Sequence, residues 1–283
     1  MQTITAWIKR HPVLAYYLVV FAISWLGMIA ALGPGGFLGT SATPETQLMV
    51  GGPIGILGPS IGSILMTGLL YGRAGLRELL ARLLKWRVGA VWYAFALLTA
   101  PVLKGLSLLL LSHTPVIVTA TDKAAMLLTA IAFGFVAPFF EELGWTGFAT
   151  PELRKRFGVL ATGLIIGVLW GLWHAPLFSA SARVSISPPP ALFMAILLFS
   201  WLIPYRVLMV WLYEHTKSLL LNMLMHVPIV VISFIFALPA PTSAQIAVGN
   251  VVFTVLLWIT VAAVFLLSRG KLEARSLSED RAS

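Results

Sequence analysis

The chain has 283 residues, 59% of them hydrophobic and only 10% charged, a balance that excludes a large soluble domain and places the protein among polytopic membrane proteins. The absence of cysteine excludes a disulfide framework, a thiolate metal site and a cysteine nucleophile, so any metal would have to be held by His, Asp or Glu. The net charge of +9 is accounted for by its distribution about a membrane, described below, and no nucleic-acid partner is expected.

Residues 1–12 form a basic tail carrying Lys9, Arg10 and His11. The apolar run that follows is too long for a signal-peptide core and ends without a clean small-x-small cleavage site, so 13–32 reads as a first transmembrane helix. A second helix is expected over 49–71, rich in glycine and bent by Pro53 and Pro59. In 73–87 the basic residues Arg73, Arg77, Arg82 and Lys85 recur at helical intervals opposite leucines, which predicts an amphipathic helix lying in the membrane interface. Further spans are expected over 91–111, 123–145, 159–178, 191–213, 218–238 and 246–267, followed by a polar tail, 268–283. The predicted fold is therefore all-α, with eight transmembrane helices in one unit, 13–267, whose core is 123–238.

Basic residues test this topology independently of hydropathy. The segments 73–87 and 154–156, Lys217 and the C-terminal tail fall on the same side as Lys9 and Arg10, whereas Lys123 and Arg183 fall on the other. By the positive-inside rule both termini are then cytoplasmic, and the protein is expected to be integral to the membrane. Arg206 sits near the inner end of its span and is expected to snorkel to the interface. Lys104 lies within a span and finds no partner from sequence.

Few intramembrane groups are able to do chemistry. Glu141 and Glu142 follow an apolar run from Met126 to Phe140, and a charge inside a bilayer costs at least ~2.5–3.5 kcal/mol on insertion scales, so the pair is a functional-site candidate. A helical hairpin turning near Gly158 brings the glutamates level with His174. Asn222 and His226, four residues apart, share a helix face and place the site in the cytoplasmic half of the bilayer. Pro138, Pro176 and Pro228 each accompany one of these elements and free backbone carbonyls, which suits a water-filled cavity. Alternatives stay open at this point: a histidine bonded only to a carbonyl, an asparagine that glues helices together, and prolines that are merely common in transmembrane helices.

Glu-Glu-Leu-Gly-Trp-Thr-Gly-Phe from Glu141, Trp-Gly-Leu-Trp-His-Ala-Pro-Leu-Phe from Trp170, and a third helix with His226 together resemble the CPBP family of intramembrane proteases. That family includes Rce1-type CAAX prenyl endopeptidases and bacterial Abi-type bacteriocin-processing or immunity relatives. Its motifs EExxxR, FxxxH and HxxxN/D are departed from at three places: Thr146 stands where arginine is expected, Trp170 where phenylalanine is, and Val230 where asparagine or aspartate is. The resemblance, closest to the family's bacterial branch, implies an endopeptidase of a bacterial plasma membrane acting on a membrane-associated peptide or protein. Glu141 and His174 would activate a water, His226 helped by Asn222 would stabilise the oxyanion, and Glu142 would hold the site together. It also admits a metal-dependent form in which Glu141, His174 and His226 bind zinc; a metal-free site is the preferred expectation. The competing reading is a non-catalytic immunity or scaffold protein of the same fold, and a proton-coupled transporter is disfavoured because no inverted repeat is evident.

Overall fold

In lipid every backbone polar group must be satisfied within the protein, and a helix does this inside a single segment. The structure, a computed structural model, describes residues 2–111, 123–235 and 241–268, and these contain helices and no strand. In chain order the elements are α1 (Gln2–Arg10), α2 (Pro12–Phe37), α3 (Pro44–Leu83), α4 (Ala90–Leu110), α5 (Lys123–Gly144), α6 (Val159–Arg183), α7 (Pro190–Thr216), α8 (Leu219–Ile235) and α9 (Ser243–Leu267). Helix α5 runs on through a π-helical turn, Trp145–Ala149, into a short helix, Thr150–Arg154. The protein is an all-α polytopic membrane protein. Seven of the described helices are long and apolar enough to cross a membrane, and the remaining expected span is the shorter apolar helix within α8, Leu219–Phe234. Leu14, Leu26, Leu98, Leu109 and Leu128 all stand more than half exposed on the outside of the bundle, a surface that only lipid would cover. His113 and the tail from residue 269 lie outside the described residues.

Two glycines break helices where the sequence suggests loops or a new element. Gly33 (φ 71°) and Gly72 (φ 60°) take backbone angles that side-chain-bearing residues rarely adopt, so the chain turns there without a long loop. The segment after Gly72, expected to lie in the interface, is the second arm of α3 and ends at Leu83. Its leucine face is not given over to lipid alone: Leu79 is buried against Leu143, Leu219 and Met223, beneath α5 and α8. Helix α6 also continues five residues past the expected end, to Arg183.

Hydrogen bonds gather the connecting segments at two ends of the bundle. At one end, Tyr71 donates to Glu152 (2.6 Å), Arg154 to Glu214 (3.0 Å), Arg82 to the Tyr213 hydroxyl (2.8 Å) and Ser218 to the Lys85 carbonyl (2.6 Å). These are the basic segments expected on the inner side. At the other end, Gln47 donates to the Gly36 carbonyl and the Ser179 hydroxyl, and Arg183 to the Leu38 carbonyl.

Helices α6 and α7 pack backbone against backbone. Gly163, Gly167 and Gly171 fall one turn apart on α6, and a Cβ added to them would stand 2.6 Å from the Val207 Cα, 2.8 Å from the Ile203 Cα and 2.6 Å from the Leu198 carbonyl oxygen. Small residues at this spacing permit such an approach, and dispersion at close range replaces the hydrophobic driving force that lipid removes. The consequence for the site is specific: α7 brings Arg206 against the helix that carries Trp170 and His174.

Candidate active site

The two glutamates close α5 just before its backbone widens into the π turn, a deviation that recurs at functional sites. Pro138, one turn earlier, has no N–H and leaves the Gly134 carbonyl without its helical partner. The two carboxylates then diverge in their surroundings.

Glu142 is completely buried and saturated. Arg206, itself 0% exposed, forms a fork on it, with Nη1 donating to Oε2 and Nη2 to Oε1, both at 2.8 Å. Thr146, one helical turn on, donates its hydroxyl to Oε2, and His226 Nδ1 lies 2.9 Å from Oε1. Opposite a guanidinium Glu142 is a carboxylate, which can only accept, so His226 carries its proton on Nδ1. Two bonds to each oxygen use all the acceptor positions of the group. The snorkelling expected of Arg206 does not occur: Lys217, at the end of its helix, is eleven residues away, roughly 16 Å at 1.5 Å per residue, too far for its side chain to reach the interface. The guanidinium instead lies 4.2 Å from the centre of the Trp170 ring.

Glu141 keeps one oxygen uncommitted. Trp170 Nε1 (2.7 Å) and Trp145 Nε1 (3.4 Å) both donate to its Oε2, and Oε1 accepts no hydrogen bond from the described residues. Tryptophan at 170 thus adds a donor that phenylalanine would lack. His174, one turn along α6, has Nδ1 2.9 Å from the Trp170 carbonyl; that oxygen can only accept, so Nδ1 carries the proton and Nε2 is left with a lone pair.

Glu141, His174 and His226 line one cavity of about 660 Å³, together with Trp170 and Val230. It reaches away from the basic end of the bundle, towards Pro44, Glu45 and Gln245. Lys104 lines it as well, with its ammonium 5.5 Å from the Phe253 ring and no ion pair among the described residues. Asn222 is fully buried but does not line the cavity: its amide donates to the Ser218 carbonyl of its own helix, and its Oδ1 has no partner. Sequence reasoning missed Arg206 as a member of the site, although an ionisable residue inside a span is the signal that would have found it. As to zinc, no three His, Asp or Glu side chains among the described residues are gathered closely enough to hold a metal ion.

Fold and site together define a polytopic membrane protein with an acid, two histidines and a buried arginine arranged about an intramembrane cavity. Residues 123–229, which hold the two glutamates and both histidines, match the model of the Rce1-like family, type II CAAX prenyl endopeptidases. The chain is similar to CAAX prenyl protease 2 of Methanococcus maripaludis, with 27% identity over 93 residues, covering 32% of this chain and 34% of that protein. The match thus falls on the part of the chain that carries the site, and the chain spans about a third of the length of the curated relative it matches.

Proposed function

We propose that the protein is an intramembrane endopeptidase that hydrolyses a peptide bond of a membrane-associated substrate with a water activated by Glu141 and His174. The observation that carries this reading is the division of labour between adjacent glutamates: Glu142 is saturated by four donors, while Glu141 presents a free oxygen at a cavity shared with two histidines.

In this mechanism water is held between Glu141 Oε1 and the His174 Nε2 lone pair, and Glu141 takes its proton as the oxygen attacks the scissile carbonyl. The carbonyl π electrons move to its oxygen, and a His226 ring protonated at Nε2 donates to that oxyanion, with Glu142 steadying the imidazolium from the other side. Collapse of the tetrahedral intermediate breaks the C–N bond, and Glu141 returns the proton to the departing amine. Asn222 does not enter this scheme, since its amide is turned to Ser218. The apolar lining suits a hydrophobic segment or a lipidated residue, and a cysteine-prenylated peptide is the first substrate to try, given the name of the Methanococcus relative.

A second reading, a non-catalytic immunity or scaffold protein, is favoured by Val230, which lines the cavity where the family motif has a polar residue. The test uses an internally quenched peptide with a farnesylated cysteine and the same peptide unmodified, in detergent. His174→Ala is expected to reduce hydrolysis by about 10²–10⁴-fold while the protein stays folded. Hydrolysis unchanged in His174→Ala would refute the mechanism, and turnover that disappears with chelator and returns with one equivalent of zinc would replace it with a metal-dependent one.

A further inference from the structure

Position 146 and Arg206 meet at the same atom. Thr146 and Arg206 Nη1 both donate to Glu142 Oε2, although one lies four residues along the same helix and the other comes from α7. An arginine at position 146 would therefore be directed at the carboxylate that Arg206 already holds. Thr146 is 1% exposed, so its small side chain leaves room for one guanidinium and not two.

We infer that Arg206 is the arginine of the EExxxR pattern transferred to another helix: it is the positioning residue that holds Glu142, and through Glu142 it fixes the ring of His226 against the cavity. The inference rests on the proposed endopeptidase reading for its kinetic consequence, but its geometric content is independent of that reading. The fork matters as well as the charge. Nη1 and Nη2 each take a different oxygen, so the plane of the carboxylate is fixed, and with it the direction of the Oε1 lone pair that receives His226 Nδ1–H. The same guanidinium lies over the indole whose N–H holds Glu141. One side chain of α7 thus braces both glutamates, the first directly and the second through Trp170.

The experiment compares the full chain with Arg206→Ala, Arg206→Lys and the double variant Thr146→Arg/Arg206→Ala. Three readouts are taken in detergent: thermal midpoint, the ¹⁵N shifts of the histidine rings, and hydrolysis of the farnesylated quenched peptide. In Arg206→Ala the midpoint falls, the Nδ1–H tautomer of His226 is lost and kcat drops about 10²-fold or more. Moving the arginine back to position 146 restores the midpoint and the tautomer signal and brings kcat to within about tenfold of the parent. Arg206→Lys keeps a cation without a fork; it is expected to fold and to bind the peptide with nearly unchanged KM, yet to lose kcat.

A parent chain that cleaves neither peptide would count against the endopeptidase reading alone, because the midpoint and the histidine shifts still decide the role of Arg206. That role is overturned if Arg206→Ala leaves the His226 signal unchanged, or if Arg206→Lys is as active as the parent. A folded double variant that recovers neither the tautomer nor the midpoint also overturns it.

Discussion

Glu141→Gln and Glu142→Gln are the same chemical change at adjacent positions, and the structure separates their effects. At position 142 the change removes the negative partner of a guanidinium that is itself 0% exposed. Breaking a buried ion pair by neutralising one member costs ~3–5 kcal/mol, because the remaining charge is left unpaired in a medium that cannot solvate it. The new amide would also turn an NH₂ towards one of the donors now directed at the carboxylate. At position 141 the carboxylate receives only two neutral indole N–H groups, both on one oxygen, and a glutamine carbonyl accepts them equally well. The loss there is about 1 kcal/mol at most, but the general base of the proposed mechanism has gone. Thermal unfolding in detergent, followed by the fluorescence of the chain's 10 tryptophans, reads stability, and the quenched-peptide assay reads activity. Glu142→Gln is expected to lower the midpoint strongly. Glu141→Gln should hold the parent midpoint and lose about 10²–10⁴-fold in hydrolysis. Equal midpoints for the two variants would refute the assignment of one glutamate to structure and the other to chemistry.

Gly163→Leu adds a side chain whose Cβ alone would stand 2.6 Å from the Val207 Cα, and because backbone cannot move aside as a rotamer can, destabilisation of about 1–3 kcal/mol or more is expected in the same thermal assay. Gly249→Ala, where an added Cβ meets nothing within 4 Å, is the control and should hold the midpoint or raise it slightly, alanine being the better helix former. The cysteine-free chain also allows single-cysteine topology mapping: Glu45→Cys at the cavity end and Arg156→Cys at the basic end should react with a membrane-impermeant maleimide from opposite faces of the membrane. Labelling of both from one face would contradict the assignment of the two ends.

The spans were legible because lipid demands long apolar helices. The break at Gly72 falls where the expected elements 49–71 and 73–87 meet, whereas the π turn after Glu142 depends on tertiary packing, which the composition of the segment does not report. The glutamates and histidines were visible as expensive polar groups, and the structure gathers Glu141, His174 and His226 on one cavity. Asn222 shares a helix face with His226 in projection, yet its amide bonds to the Ser218 carbonyl one turn back, because the rotamer that decides between a neighbouring helix and a local carbonyl is not written in the sequence. Arg206 does not snorkel because eleven residues, roughly 16 Å of helix, separate it from Lys217. Pairing across 64 residues leaves no local signature.

That separation also bears on how the protein is made. Glu142 leaves the ribosome 64 residues before Arg206, so α5 must enter the membrane with its acidic pair unmatched and wait through the synthesis of α6 and half of α7. Each charge alone carries an insertion penalty of ~2.5–3.5 kcal/mol, which is relieved only when both helices are present. The fork that organises the site therefore forms only once α7 has joined α5 in the membrane, where its backbone lies in close contact with that of α6.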